Sequence, residues 1–326
     1  MPTIRKPRAG SLQFWPRKRA KRQYARVRSY KKSKEPKLLG FPGYKVGMTH
    51  ILHIDNRKTS LTKGTEISCP VTIIECPNIK IASIRFYKNS LSAYGYKLLG
   101  EVFAEKLDKE LGRKIVLGKS KKTIEDFKNF DEIRVNVYTQ PKLTGIGKKK
   151  PELFELRIGG SKKEQLNYAK ENLGKEIKVA DIFKPGQQVD SHSVTKGKGY
   201  QGVVKRFGVG LRSHKSEKTI RGAVTAPEGL ARIKFTAPMA GRMGFHLRTE
   251  FNKWLMKISD KAEEINPKGG FIHYGLVKTN FILLRGSLPG PKKRMIILTD
   301  PMRANKLIPN SAPDITHISL ESQQGR

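Results

Sequence analysis

Two stretches of this chain cannot build a hydrophobic core of their own, because basic residues crowd them and acids are scarce. Residues 1–37 carry Arg5, Lys6, Arg8, Arg17, Lys18, Arg19, Lys21, Arg22, Arg26, Arg28, Lys31, Lys32, Lys34 and Lys37 against the single acid Glu35. In residues 190–250, Lys196, Lys198, Lys205, Arg206, Arg212, Lys215, Lys218, Arg221, Arg232, Lys234, Arg242 and Arg248 face Asp190, Glu217, Glu228 and, at the end, Glu250. The whole 326-residue chain sets 66 Lys and Arg against 28 Asp and Glu, a net charge of +38. Self-repulsion on that scale destabilises a compact state. Solubility alone asks for a net charge of only about 2–8 on a small domain. The excess makes sense beside a polyanion, and nucleic acid is the expected partner.

The remaining composition narrows the class. Cys69 and Cys76 lie in an apolar stretch and form no paired C-x-x-C, so neither a disulfide framework nor a zinc site is expected. The sequence contains no run of about 18 apolar residues, so no membrane-spanning helix is expected. The basic start "MPTIRKPRAG" is followed by no apolar segment of a secretion signal. A reducing, intracellular compartment is the expectation.

Along the chain, the first 37 residues show poor helical periodicity, punctuated by Pro2, Pro7, Pro16 and Pro36. Such a segment alone buries too little apolar surface to offset its ordering entropy, so it should add little to a core. Phe14, Trp15, Tyr24 and Tyr30 interleave its charges, a pattern suited to stacking on unpaired bases. From Leu38 on, short apolar runs alternate with glycines. "PVTIIEC", "KIASIRFY", "IRVNVY" and "LFELRI" read as strands. "EVFAEKLDKELG" places Phe103, Leu107 and Leu111 at helical spacing before Gly112. "SKKEQLNYAKENLG" is a signed helix, with Ser161 as N-cap, Glu164 completing a capping box and Gly174 closing it. Later, "FIHYGLV", "FILLRG" and "RMIILTD" again read as strands. A β-barrel interrupted by a compact α+β unit at 81–177, with two basic extensions, accounts for this order economically.

Gly197, Gly199 and Gly202 spell a G-x-G-x-x-G, the pattern of a dinucleotide-binding turn or a kinase glycine loop. The first needs a helix directly after the glycines and an acid about 20 residues on. Here "VVKRFGVGLR" is β-branched and glycine-broken, and no acid stands near position 222. The kinase reading fails for want of H-R-D and D-F-G. Glycines also let backbone N–H groups approach phosphate, and Lys196, Lys198, Lys205 and Arg206 supply countercharge for an RNA backbone. The seven histidines are scattered; His50 and His53 have only Asp55 nearby, which makes no convincing metal set. No paired carboxylates or nucleophile with a base can be argued. No catalytic residue, resident metal or cofactor is expected, and Mg²⁺ carried by the nucleic acid is the one ion this reading admits.

Four blocks, "RAGSLQFWPRKRA", "GFPGYKVGMTHI", "VDSHSVTKGKGYQGVVKRFG" and "APMAGRMGFHLRTE", lie in order and span most of the chain. Together they resemble the large-subunit ribosomal protein L three family, in its archaeal and eukaryotic type. The resemblance implies a mixed β and α/β fold. Its parts are a basic extension (1–37), a six-stranded translation-factor-like β-barrel (38–80 and 178–326), an inserted α+β domain (81–177) and a basic loop (190–250) leaving the barrel.

The resemblance also implies a structural constituent of the cytoplasmic ribosome, with large-subunit rRNA and neighbouring large-subunit proteins as partners. It implies no membrane and no small-molecule substrate. The loop would reach toward the peptidyl transferase centre. Thr195, Lys196, Gly197, Lys198, Gly199, Lys205, Arg206 and Gly208 match the family's RNA-contacting motif. Arg17, Lys18 and Arg19 match its arm, and His246, Arg248 and Thr249 the return strand of the loop. With the basic residues around them, the candidate rRNA-binding set adds Arg5, Lys6, Arg8, Trp15, Lys21, Arg22, Arg212, His214, Lys215, Arg221, Arg232 and Arg242. The chain departs from the family at the loop tip. "EGLARI" keeps Ala231 and Arg232 but has Glu228 where an aromatic or amide is usual and Leu230 where proline is. Glu228 belongs to the candidate set as a polar or ion-bridged contact. The alternative to all this is a basic DNA-packaging protein, which has no use for a long irregular finger.

Overall fold

The computed structural model describes residues 13–90, 95–116, 123–127, 129–211, 215, 233 and 235–322. The chain divides into two compact units. A core unit comprises Gln23–Ser193 and Arg248–Arg326, and an arm–loop unit comprises Met1–Arg22 and Val194–Leu247.

In chain order the elements are β1 (Gly40–Ile54), β2 (Glu66–Glu75), β3 (Ile79–Ser90), β4 (Gly95–Phe103), β5 (Glu132–Tyr138) and β6 (Leu153–Arg157). Helix α1 (Lys162–Asn172), β7 (Glu176–Ile177), β8 (Gln188–Val194), β9 (Tyr200–Gln201) and helix α2 (Val203–Phe207) follow. The last are β10 (Gly241–Arg242), β11 (Leu247–Ser259), β12 (Phe281–Arg285), β13 (Met295–Thr299) and β14 (Ile315–Ile318). The fold is mixed and mostly β, as the sequence leads one to expect.

Fifteen residues make β1 long enough to serve several partners. It pairs with β13 from Gly40 to Tyr44, with β2 from Tyr44 to Ile54, and with β14 near Ile51. The ladder β1–β2–β12–β11–β8–β13 therefore leads back to β1. A second, five-stranded sheet runs β4–β3–β5–β6, with β7 also on β3. Both sheets contribute to one apolar core, from Phe41, Ile51 and Ile73 to Ile81, Val135 and Leu156. Burying those β-branched side chains is what commits the alternating runs to strands. Trp254, fully buried, donates its indole N–H to the Gly186 carbonyl at 2.9 Å. Helix α1 starts as its sequence signs it, with the Ser161 N–H donating to the Glu164 carboxylate at 2.8 Å.

Four expectations need correcting. The helix read over 101–112 is not formed. Glu101, Val102 and Phe103 finish β4 against Arg85, Ile84 and Ser83, and only a five-residue 3-10 turn, Lys109–Arg113, follows. Pairing along β3 wins over helical spacing because it also lets Glu101 bridge Arg85 at 2.9 Å and accept from Asn136 at 2.7 Å. "FIHYGLV" is a turn rather than a strand, closed by the bridge Phe271↔Gly275 with His273 at φ +61°. Its purpose is local: the Tyr274 hydroxyl donates to the buried Glu75 carboxylate. A short helix, α2, does follow the glycine motif directly.

The fourth correction concerns the basic segment, which is not uniform. Ala25 is buried, and Tyr24, Val27 and Tyr30 pack against the core. The ring of Tyr24 lies 6.1 Å from Phe154, and Arg157 sits over Tyr30. Burial pushes the Tyr30 phenol pKa up. Both rings are half-buried against the core unit rather than fully presented to solvent.

His53 is buried against Trp254, and Asp55 is clasped by Arg57 through its Nε (2.9 Å) and Nη2 (2.7 Å). That hydrogen bonding holds the Asp55 carboxyl far below the usual range despite its burial. Both side chains serve the fold. Cys69 and Cys76 are buried free thiols.

Candidate nucleic-acid interface

The arm–loop unit is built on a glycine-rich hairpin. Thr195 N–H donates to His246 O (3.0 Å), Lys198 N–H to Met243 O (2.9 Å) and Met243 N–H to Gly199 O (2.9 Å). Beyond them β9 pairs with β10, Tyr200 facing Arg242 across the ladder. The Thr195 hydroxyl accepts from the His246 N–H at 3.1 Å, locking the hairpin's root. Gly244, at φ +73°, closes it: a Cβ there would stand 2.0 Å from the Lys196 carbonyl oxygen. Gly199 is also left-handed, φ +71°, but nothing lies within 4 Å of where its Cβ would be. The first glycine is demanded by packing, the second by backbone conformation.

Residues 15–20 lie along this hairpin. Ala20 N–H donates to Phe245 O at 2.8 Å. His246, buried, donates from Nδ1 to the Lys18 carbonyl at 2.8 Å. Helix α2 presents Arg206 and Phe207 to the arm. The Arg206 guanidinium donates to three backbone carbonyls, Met239 (2.8 Å), Arg242 (3.1 Å) and Arg17 (3.3 Å). Arg17 returns the contact by donating to the Arg206 carbonyl. Trp15 stacks on Phe207 with ring centroids 4.8 Å apart, and the Arg17 guanidinium lies 4.1 Å over the same phenyl ring. Arg19 sits 5.0 Å over Phe245. Burial, then the neighbouring Arg206 charge, lowers the pKa of Arg17.

The predicted site residues thus fall into distinct groups. Arg17, Arg206, Thr195 and His246 direct donors or acceptors at the unit's own backbone, and one face of Trp15 is covered by Phe207. Lys18, Arg19, Lys21, Arg22, Lys196, Gly197, Lys198, Gly199, Lys205, Lys215 and Arg242 are exposed. The described residues of this unit include no acid at all. Among the described residues of the unit, these exposed cations therefore have no carboxylate beside them to neutralise their charge. Arg248 lies half-buried at the start of β11, in the core unit.

Arg5, Lys6, Arg8, Arg212, His214, Arg221, Glu228 and Arg232 lie outside the described residues, and so does the loop tip. Among the described residues no group of three or more His, Cys, Asp or Glu could hold a metal ion, and no helix is long and apolar enough to cross a membrane.

Sequence reasoning passed over Tyr200, which is 73% exposed on β9. It also missed Phe207 and Phe245, the rings that carry Trp15, Arg17 and Arg19. The clue for Tyr200 was an aromatic directly after K-G-K-G; for the other two, no local pattern distinguishes a supporting ring from a core one.

The Ribosomal protein L3 profile matches residues 1–325. Three relatives named large ribosomal subunit protein uL3 match along nearly their whole lengths. That of Methanobrevibacter smithii is 45% identical over 332 residues, covering 98% of each chain. That of Archaeoglobus fulgidus is 45% identical over 330 residues, covering 98% of this chain and 99% of its own. That of Methanocaldococcus jannaschii is 44% identical over 333 residues, covering 99% of both. With the glycine hairpin, its basic flanks and end-to-end similarity all in agreement, the chain belongs to the Ribosomal protein L3 family.

Proposed function

We propose that this chain is a structural constituent of the large ribosomal subunit, that it binds large-subunit rRNA, and that the arm–loop unit makes the principal contact. One observation carries the reading. That unit holds nineteen Lys and Arg against two acids, Glu217 and Glu228, while its internal ties are made by Arg206, Arg17 and His246 rather than by its lysines. Lys18, Lys196, Lys198, Lys205 and Arg242 are then free to meet phosphates, and the clamp residues hold the backbone that positions them. The relatives' shared name supports the same assignment.

The domain scheme belongs to this proposal. Residues 38–80 and 178–326 form a six-stranded barrel of the translation-factor kind, a reading favoured by the ladder that returns to β1. Residues 81–177 form an inserted α+β domain. The 190–250 loop leaves the barrel and reaches toward the peptidyl transferase centre, with the arm beside it. The part of the 1–37 extension that meets RNA ends near Arg22, since Tyr24 to Tyr30 pack on the core.

The protein supports subunit assembly in the cytoplasm, with rRNA and adjoining ribosomal proteins as partners. As a member of a structural ribosomal family it is not an enzyme, and nothing in the molecule favours DNA packaging. The test is sedimentation. The native protein should travel with large subunits and stay bound after a moderate salt wash; release into the soluble fraction, or recovery on chromosomal DNA, would refute the assignment.

A further inference from the structure

We propose that Tyr200 is a stacking platform for an unpaired base of the rRNA, a site distinct from the phosphate contacts around it. The proposal rests on the rRNA-binding reading above and adds the recognition chemistry. Tyr200 is a large aromatic left 73% exposed, so the face of its ring is accessible. Its phenol has no hydrogen-bond partner among the described residues, so the ring is not held down by its polar end. The backbone beneath it is fixed on both sides. Tyr200 pairs with Arg242 across β9 and β10, the next rung is Met243 N–H to Gly199 O at 2.9 Å, and the Gln201 side chain ties to Lys198 O at 2.8 Å. A ring on a fixed backbone loses little conformational freedom when a base covers it.

The surroundings name the occupant. Nothing lies within 4 Å of the Cβ positions of Gly199 or Gly202, so the backbone near Tyr200 is uncrowded. Arg242 stands directly opposite on the ladder, and directly opposed residues share a sheet face. Lys198 and Lys205 are exposed nearby in sequence, and the described residues of the unit contain no acid. An apolar protein patch would meet the uncompensated charge of Arg242 here, whereas a nucleotide brings both the π-face and the countercharge. Of the other described rings in 194–247, Phe207 already carries Trp15 and Arg17, Phe245 carries Arg19, and Phe235, 72% exposed, lies in a turn rather than on a paired strand.

The experiment compares full-length wild type, Tyr200→Ala, Tyr200→Phe and Lys198→Ala in binding deproteinised large-subunit rRNA over a series of salt concentrations. Tyr200→Ala should weaken binding about tenfold at each salt with the log–log slope unchanged, because no phosphate contact is lost. Tyr200→Phe should stay within about twofold of wild type. Lys198→Ala should instead lower the slope by about one. Unchanged affinity of Tyr200→Ala would overturn the proposal, as would a loss matched by Tyr200→Phe, which would assign the effect to the hydroxyl. Normal rRNA binding by Tyr200→Ala combined with failed incorporation into subunits would also overturn it, by placing a protein on the ring. Failure of the wild type itself to bind would refute the underlying rRNA reading instead.

Discussion

Arg206 shows how a basic side chain in a unit proposed to bind nucleic acid can serve the protein first. A planar guanidinium with five donors can hold three carbonyls at fixed angles, which an ammonium cannot. Arg206→Ala, and equally Arg206→Lys, should therefore loosen the arm by about 1–3 kcal/mol, read as faster proteolysis between residues 13 and 22. Lys198→Ala should leave that rate unchanged; equal rates in all three variants would contradict the clamp. His192, in the core unit, offers a second residue-scale test. Its ring nitrogens contact the hydroxyls of Thr249 (2.9 Å) and Thr299 (3.0 Å), and burial, partly opposed by Asp190, lowers its pKa to about 4. The unfolded chain, with histidine near 6.5, then binds more protons between these values, so stability is full above about pH 6.5 and falls as pH drops toward 4. Wild type should lose about 2–3 kcal/mol more than His192→Gln between pH 7 and 4.5 in denaturant titrations. Parallel pH curves would contradict it.

At the scale of elements, the strands with β-branched alternation and the capped helix α1 were legible because local pattern and tertiary burial agree there. They disagree at 101–112, where helical spacing of Phe103, Leu107 and Leu111 yields to pairing with β3. They disagree again at 271–277, where a strand-like composition serves a turn that delivers Tyr274 to Glu75. The site was half legible. Its basic residues and glycines stand in the sequence, but which cations face inward depends on carbonyls distant along the chain, such as Met239 and Arg242 for Arg206. The division of the arm at Arg22 was hidden for the same reason, since Tyr24 and Tyr30 find Phe154 and Arg157 only in the folded chain. Deletion follows this division. Removing residues 1–22 should leave the core unit's thermal transition within about 2 °C, while removing 1–37 should lower it by several degrees, because buried Ala25 and the half-buried tyrosines go with it. Equal transitions for the two truncations would show that residues 23–37 do not stabilise the core.

For the molecule as a whole, charge is apportioned by task. The core unit carries the paired acids, including a ladder in which Arg85, Arg134 and Arg157 bridge Glu101, Glu132 and Glu155. The arm–loop unit keeps almost none, so its repulsion is relieved only by a polyanion. The central claim is that its exposed lysines, held by an internal clamp, meet rRNA phosphates. The salt dependence of binding to deproteinised large-subunit rRNA tests this most directly, for wild type and for Lys196→Ala/Lys198→Ala/Lys205→Ala. With about ten phosphates engaged, log K against log salt should slope by about −7 to −9 for wild type. The triple variant, unfolding as wild type does, should flatten the slope by about 2–3. A wild-type slope near zero, or one that the triple variant leaves unchanged, would contradict the account.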